Sequence, residues 1–155
     1  MIRAIAAIDY KLGLANEKGI PWYLPNELRY FRDKTEEGTI FMGYGTYLEF
    51  TKPFHGRENF VATPEGQILH NGFTRVPDAR SWLTAQADDV WVIGGAGLFT
   101  TTVDLMDELY LTEIEADFHC TKFFPPYKDS FELVSRSEPV TERGITYTFC
   151  IYRKK

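Results

Sequence analysis

The sequence predicts an α/β fold in a single domain. Its sheet should be mixed and mostly parallel, ending in an antiparallel C-terminal strand pair, with helices on both faces. Short apolar runs alternate with helical patterns through most of the 155 residues, as in parallel α/β folds. The last two runs, residues 131–137 and 146–153, alternate like an antiparallel pair of strands. No internal repeat or linker-like segment divides residues 1–155, so we predict one domain.

The elements follow from these patterns in chain order. Apolar and β-branched runs predict further strands at residues 2–8, 39–42, 59–63, 90–93 and 108–114. Helical patterns predict helices at residues 25–35, 46–50, 77–86 and 98–106. Pro25 suits the first position of its helix, where the missing N–H has no partner to lose. Residues 9–23 form a connection well above the usual length of about five residues, which favours a functional loop.

The composition excludes several classes of protein. The chain is 44% hydrophobic and 25% charged, which is typical of a globular protein rather than a disordered one. A formal net charge of −5 argues against nucleic acid binding. No apolar run approaches the roughly 20 residues that span a bilayer, and no signal peptide pattern opens the sequence. Cys120 and Cys150 lie far apart without metal-ligand spacing, so we expect a cytoplasmic protein with no metal site.

Residues 21–28, which read Pro-Trp-Tyr-Leu-Pro-Asn-Glu-Leu, carry the most information about function. A carboxylate such as Glu27 in the first turn of a helix usually does no more than complement the helix dipole. Glu27, however, shares a helix face with Leu28 and Phe31, because residues four apart are neighbours on that surface. An acid on an apolar stripe is desolvated, which raises its pKa. This arrangement suits a flat heterocycle held between apolar walls by one charged anchor.

Two further segments are ambiguous when taken alone. Residues 90–99 read as a strand, a glycine-rich turn and a helix, where backbone N–H groups favour a diphosphate. A tight turn without any ligand explains the same pattern equally well, and the GxGxxG spacing of dinucleotide-binding folds is missing. Arg57, which follows Pro53-Phe54-His55-Gly56, is by itself most simply a solvated arginine.

Residues 21–28 resemble the signature PWxLPx(D/E)L of the dihydrofolate reductase family. The resemblance extends in order along the chain through Phe31, Thr35, Ile40-Phe41-Met42-Gly43, Thr46, Pro53, Gly56-Arg57, Val92-Ile93-Gly94-Gly95, Tyr110-Leu111-Thr112 and Phe124-Pro125. It implies hydride transfer from NADPH to dihydrofolate, giving tetrahydrofolate, with hydride reaching C6 and a proton reaching N5 through water. Glu27, Trp22 and Thr112 would form the catalytic group, with Glu27 accepting hydrogen bonds from the pterin.

The resemblance also assigns binding residues. The substrate would be lined by Ile5, Ala7, Leu28, Phe31, Phe50 and Ile93, and Arg57 would pair with the α-carboxylate of its glutamate. The cofactor would contact Ala7, Ile20, Gly43, Tyr44, Thr46, Thr63, Gly94, Gly95, Ala96, Gly97, Leu98 and Phe99. The peptide bond between Gly94 and Gly95 would be cis. The protein would act as a monomer.

The chain departs from the family at several places, including Leu14-Ala15 and Phe99, and two of the departures bear directly on function. Thr121 stands where the family has an aspartate that often positions the active-site loop, which puts loop closure in doubt. The residues that would read the 2′-phosphate of NADPH include Tyr44, Gly45, Thr63 and Pro64, so the usual arginine is missing, and Glu65 adds negative charge beside them. We therefore predict that NADPH is preferred over NADH by an unusually small factor, so that NADH is tolerated. Arg75, from the following segment, remains a cation that could reach the phosphate.

Two alternatives are weighed against this interpretation. One is a related pteridine or pyrimidine reductase of the same fold, which would share the glycine turn but not the segment around Glu27. The other is a non-catalytic module that binds folate or a nucleotide, which the presence of both Glu27 and the turn at Gly94 and Gly95 disfavours.

Overall fold

The computed structural model describes residues 1–64 and 66–155, and Glu65 therefore lies outside the described residues. The strands in chain order are β1 (Ile2–Ile8), β2 (Gly13–Ala15), β3 (Thr39–Gly43), β4 (Asn59–Ala62), β5 (Phe73–Val76), β6 (Val90–Val92), β7 (Glu108–Ile114), β8 (Lys122–Phe123), β9 (Phe131–Arg136), β10 (Val140–Glu142) and β11 (Ile145–Lys154). The helices are α1 (Pro25–Lys34), α2 (Tyr44–Tyr47), α3 (Ala79–Thr84) and α4 (Ala96–Thr102), and α4 continues into a 3₁₀ turn at Val103–Leu105.

Among the residues that the structure describes, the main sheet has nine strands and is mixed, as the sequence predicts. Its order is β10-β11-β7-β1-β6-β3-β4-β5, and β9 also pairs with β11. The strands from β7 to β5 in this order are parallel to one another, whereas β11 runs antiparallel to β7, β9 and β10. Strands β2 and β8 form a separate antiparallel pair. The carboxyl end of β1 therefore lies in the middle of the main sheet.

Helices cover both faces of this sheet. Ala4 and Ile8 of β1 pack on one face with Leu83 of α3 and Phe99 of α4. Ile5, between them in sequence, points to the opposite face because side chains alternate along a strand. There it belongs to a cluster with residues of α1 and α2, namely Tyr30, Phe31, Tyr44 and Tyr47.

The helices are shorter or shifted relative to the prediction. The predicted helix 46–50 is α2, at Tyr44–Tyr47, because residues 49 and 50 bond to carbonyls three positions back and form turns instead. The predicted helix 98–106 is α4 with its 3₁₀ turn, starting two residues earlier. Thr101 and Thr102 donate their hydroxyls to carbonyls of the preceding turn, a pattern that weakens helices. The predicted helix 77–86 is α3, which Asp78 caps by accepting from the Ser81 N–H at 3.2 Å.

Short strands at both ends of the main sheet and in the separate pair of β2 and β8 escaped prediction. These are β2, β5, β8 and β10, of two to four residues each. Strands of this length carry too few residues for a period-2 pattern to be distinguished from a loop. By contrast, β1 and β7 have the predicted bounds, and α1 ends one residue before the predicted Thr35. In the described residues, no helix is long and apolar enough to cross a membrane.

Candidate active site

The centre of the site is a hydrogen bond between α1 and β7. The Thr112 hydroxyl donates to Oε2 of Glu27 at 3.1 Å, and the side chains of both residues are buried. Glu27 is only 8% exposed although it is an acid in the first turn of a helix. Acids are almost never buried to this extent without a partner. Two residues that the resemblance assigns to the catalytic group are therefore in direct contact.

Burial controls the protonation of this acid. Desolvation raises the pKa of Glu27 from its ordinary value of 4.5 to about 7, and the negative charge of Glu142 acts in the same direction. The hydrogen bond from Thr112 opposes them, because it stabilises the carboxylate. A pKa near neutrality lets Glu27 exchange a proton under physiological conditions, which general acid–base chemistry requires.

Most of the apolar residues predicted to line the substrate fall in two hydrophobic clusters, each of which includes residues of α1 or of the segment just before it. Ile5, Phe31, Phe50 and Ile93 belong to one hydrophobic cluster on the face of the sheet that α1 covers. Ala7 and Trp22 belong to a neighbouring cluster, and the Trp22 ring lies 5.1 Å from the ring of Phe118. Leu28 is 40% exposed, one position after Glu27. The register of the sheet places Ala7 directly beside Thr112.

The predicted cofactor turn is also assembled. The peptide bond between Gly94 and Gly95 is cis, which confirms that prediction. The Gly43 N–H donates to the Gly94 carbonyl at 2.7 Å, so the end of β3 contacts the turn. A Cβ on Gly95 would lie 3.3 Å from Oγ1 of Thr46, and one on Gly94 would lie 3.5 Å from the Phe99 ring. These five residues therefore form one packed unit, in which a side chain at Gly95 would press on Thr46 and one at Gly94 would be strained by its φ of +122°.

Further residues predicted to contact the cofactor lie at the start of α4 and on the 9–23 loop. The first helical hydrogen bond of α4 runs from the Phe99 N–H to the Gly95 carbonyl, so the amides of Ala96, Gly97 and Leu98 precede the helical ladder. Ile20 is 62% exposed on the 9–23 loop and joins none of the three hydrophobic clusters of the described residues.

Arg57 is held in place by main-chain carbonyls rather than being a solvated arginine. Its Nε donates to the Thr35 carbonyl at 2.6 Å, and Nη2 donates to the Arg32 carbonyl at 3.0 Å. Nη1 makes a longer bond, 3.4 Å, to the His55 carbonyl. These contacts fix the guanidinium at the C-terminal end of α1. The sequence alone does not predict this orientation, because the bonds that fix it span up to 25 residues.

The region predicted to read the 2′-phosphate contains a cation. Nη1 of Arg75, on β5, lies 3.4 Å from the Thr63 carbonyl and 3.3 Å from the Pro64 carbonyl. The Thr63 side chain is buried, and its hydroxyl donates to Oε1 of Gln67 at 2.8 Å. The ring of Tyr44 stacks on Tyr47 at 5.6 Å. Arg75 thus places a basic group beside Thr63, and the Thr63 hydroxyl is engaged within the chain.

The long loop after β1 is anchored without the family's aspartate. Buried Asp9 accepts hydrogen bonds from the N–H groups of Lys11 and Gly13 through Oδ1 and from that of Phe118 through Oδ2, at 2.7–3.0 Å. A Thr121 side-chain hydrogen bond lowers the pKa of Glu17 in the same loop. Pairing of β2 with β8 completes the contact. The loop is therefore held in place by Asp9 and by the Thr121 side chain, without an aspartate at position 121.

Two acidic residues of this region escaped the sequence analysis. Asp9 directly follows a buried strand, and that position was a usable signal for a structural carboxylate. Glu142 accepts from the Asn26 N–H at 3.0 and 3.2 Å across 116 residues of chain, and no local pattern points to it.

A separate cavity of about 440 Å³ lies beyond the carboxyl ends of β1 and β7, between Tyr10, Glu115, Lys128 and Arg136. It contains neither Glu27 nor the Gly94–Gly95 turn. We place the active site at Glu27 because a buried acid with a raised pKa identifies reactive chemistry better than the size of a cavity does.

Comparisons with known proteins agree with this site. The family model described as dihydrofolate reductase matches residues 1–154. The dihydrofolate reductase of Bacillus subtilis (strain 168) is 32% identical, covering 100% of this chain and 95% of that protein. The enzyme of Staphylococcus aureus is 30% identical, covering 97% of each chain. The structure of the Enterococcus faecalis dihydrofolate reductase complexed with NADP(H) and RAB-propyl superposes with a TM-score of 0.89, at 25% identity over 100% of this chain and 96% of that chain.

These matches span the fold and the site alike, and they confirm the resemblance inferred from residues 21–28. They also confirm the expected fold class and the expected activity, in which NADPH reduces dihydrofolate. A pyrimidine reductase or a non-catalytic module gains no support from them. This chain belongs to the dihydrofolate reductase family.

Proposed function

We propose that Glu27 controls the proton required when NADPH reduces dihydrofolate, with Thr112 and Trp22 completing the catalytic group. The observation that carries this proposal is the buried Glu27 carboxyl bonded to Thr112, with its pKa raised to about 7. Reduction moves a hydride to C6 of the pterin and a proton to N5. A carboxyl group that is half protonated at neutral pH is suited to regulate that proton.

The binding roles follow from the surrounding residues. We assign Ile5, Ala7, Leu28, Phe31, Phe50 and Ile93 to the pterin and benzoyl groups of the substrate, and Arg57 to its glutamate. The cofactor is assigned to the unit formed by Gly43, Thr46, Gly94, Gly95 and Phe99, with Ala7, Ile20, Tyr44, Thr63, Ala96, Gly97 and Leu98 as further contacts. We further propose that the protein acts as a single-domain monomer in the cytoplasm, where reduced cysteines are stable.

The test is the pH dependence of hydride transfer. In single-turnover experiments with NADPH and dihydrofolate, the rate should fall as pH rises through about 7, because Glu27 loses its proton in that range. Cofactor absorbance reports the rate. The same profile in Glu27→Gln should lose this transition. A transition of equal size and position in both proteins would assign the titration to another group.

We predict a small preference for NADPH over NADH, because Tyr44 replaces the usual arginine. Tyr44→Arg should enlarge the preference by about tenfold or more, equal to at least ~1.4 kcal/mol for the phosphate. The measurement is kcat/KM for each cofactor in both proteins. A wild-type preference in the hundreds that Tyr44→Arg leaves unchanged would contradict the role given to Tyr44.

Arg75→Gln is the complementary test, because it removes a positive charge from this region whereas Tyr44→Arg adds one. Since the Arg75 guanidinium lies beside Thr63 and Pro64, its loss should reduce kcat/KM for NADPH and leave the NADH value unchanged. Arg29→Gln, an exposed arginine on α1, is the matched control for the loss of one positive charge. Equal losses with both cofactors would show that Arg75 supports the fold rather than the phosphate.

A further inference from the structure

Helix α1 begins without a cap from its own segment. The residue at its N-cap position is Leu24, whose side chain cannot accept a hydrogen bond. Pro25 has no N–H, and the first helical bond runs from the Leu28 N–H to the Leu24 carbonyl. The Asn26 N–H is therefore one of the donors that the helix leaves without a partner. The acid of the active site, Glu27, is the next residue.

The missing cap is supplied from the far end of the chain. Glu142, the last residue of β10, accepts from the Asn26 N–H through both carboxylate oxygens, at 3.0 and 3.2 Å. The hydroxyl of Tyr147, a fully buried side chain of β11, donates to Oε1 of Glu142 at 2.9 Å. The hairpin formed by β10 and β11 also contacts the segment before α1, since the guanidinium of Arg143 lies 5.3 Å from the centre of the Tyr23 ring. Glu142 is thus fixed on the hairpin and bonded to the helix.

We propose that Glu142 is a positioning residue for the active site, which holds the first turn of α1 in place and binds the residue that directly precedes Glu27. This inference rests on the proposed role of Glu27. An acid at a helix N-terminus complements the helix dipole, so the contact is favourable for α1 itself. For Glu27 the same charge is a like charge, and like charges disfavour ionisation.

The groups that face Glu27 come from four elements. They are Thr112 on β7, Tyr30 on α1, Glu142 on β10 and Tyr147 on β11. Thr112 favours the carboxylate, and Glu142 opposes it. The negative charge of Glu27 in turn raises the pKa values of Tyr30 and Tyr147, although burial is the larger cause for both. Both tyrosines therefore stay neutral around the site, and Glu142 is the charged partner among these groups.

The experiment compares Glu142→Gln and Glu142→Ala with the control Glu138→Gln. Glu138 is an exposed acid between β9 and β10. The pKa of Glu27 is read directly from its side-chain carboxyl carbon by NMR titration. We expect it to fall by about half a pH unit in both Glu142 variants, since one like charge is lost. It should not move in Glu138→Gln. The pH profile of single-turnover hydride transfer should shift by the same amount.

Amide hydrogen exchange at Asn26 tests the positioning itself. Exchange should be faster by about tenfold in Glu142→Ala, and Glu142→Gln should restore most of the protection, because the amide oxygen can still accept. An unshifted pKa of Glu27 in Glu142→Gln overturns the proposal, as does an equal shift in Glu138→Gln or unchanged exchange at Asn26 in Glu142→Ala. The titration reads the carboxyl itself, so its result stands even where Glu27→Gln leaves turnover unaffected and the proposed role of Glu27 fails.

Discussion

Glu27→Gln is expected to lower turnover at neutral pH by about 10²–10³-fold while the protein stays folded, the loss typical of one preorganised transition-state contact. Glutamine keeps the shape of the side chain and can still accept from Thr112, but it carries neither a negative charge nor an exchangeable acid proton. Steady-state oxidation of NADPH with dihydrofolate measures the effect. Glu36→Gln, an exposed acid just beyond α1, is the matched control and should retain full turnover. A folded Glu27→Gln protein with near wild-type turnover would refute the role given to Glu27.

Glu27→Gln should also change the free energy of unfolding, and at high pH it should stabilise the protein relative to the wild type. The folded-state pKa of Glu27 is raised from 4.5 to about 7, so the folded protein holds a proton that the unfolded chain releases in this pH range. Stability is therefore lost progressively as pH rises from about 4.5 to about 7, and the loss is complete above that range. Relative to the wild type, Glu27→Gln should become more resistant to urea at pH 8 than at pH 4. A constant difference in free energy of unfolding across this range would contradict the raised pKa.

Arg57→Ala should raise KM for dihydrofolate by tenfold or more, with a much smaller change for a pterin that lacks the glutamate tail. Losing a charge-assisted pair costs about 1.5–3 kcal/mol, which corresponds to this factor. The guanidinium is already fixed by three main-chain carbonyls, so little side-chain freedom remains to be lost when it binds a carboxylate. The KM values of the two substrates provide the measurement.

Controls separate recognition from folding in this experiment. Lys52→Ala removes a positive charge from a neighbouring exposed turn and should leave both KM values unchanged. Thermal unfolding of Arg57→Ala checks whether the lost bonds to the backbone loosen the end of α1. Arg57→Lys keeps the charge but lacks the planar fork, so it should recover only part of the affinity. Equal rises in KM for the two substrates would place Arg57 outside the glutamate site.

The parts of the fold that the sequence predicted well are those governed by local pattern. Strands β1 and β7 are apolar runs of seven residues, and α1 carries Pro25 at its start, so their bounds could be derived from neighbouring residues. The apolar face around Glu27 was predicted only in part, since Phe31 packs against the cluster that contains Ile5 whereas Leu28 is exposed. Helix α2 was misplaced because the chain passes from helix to turns at residues 47–50, where no Gly or Pro marks the change.

The contacts that the sequence did not predict join distant segments. Asp9 bonds to the Phe118 N–H across 109 residues, and Glu142 bonds to α1 across 116. Neither residue has a neighbour whose spacing reveals its partner, since each accepts from a main-chain N–H that any amino acid other than proline supplies. Arg75 was named from the sequence as a cation that could reach the phosphate, but its contacts with Thr63 and Pro64 were not predicted, because β5 is too short to be recognised by its pattern.

The pairing of β1 between β6 and β7 determines when the site can exist during folding. The hydrogen bond at the centre of the site, between Thr112 and Glu27, joins residues 85 apart in the chain. The bond that caps α1, between Asn26 and Glu142, joins residues 116 apart. Contacts this distant must overcome a large loop-closure entropy before they contribute stability, so high contact order makes such a sheet slow to form. A nascent chain that has exposed only residues 1–110 to solvent holds Glu27 but neither Thr112 nor Glu142. The active site therefore becomes complete only late in folding. Until then, the apolar strands that surround it are open to chaperones and to aggregation.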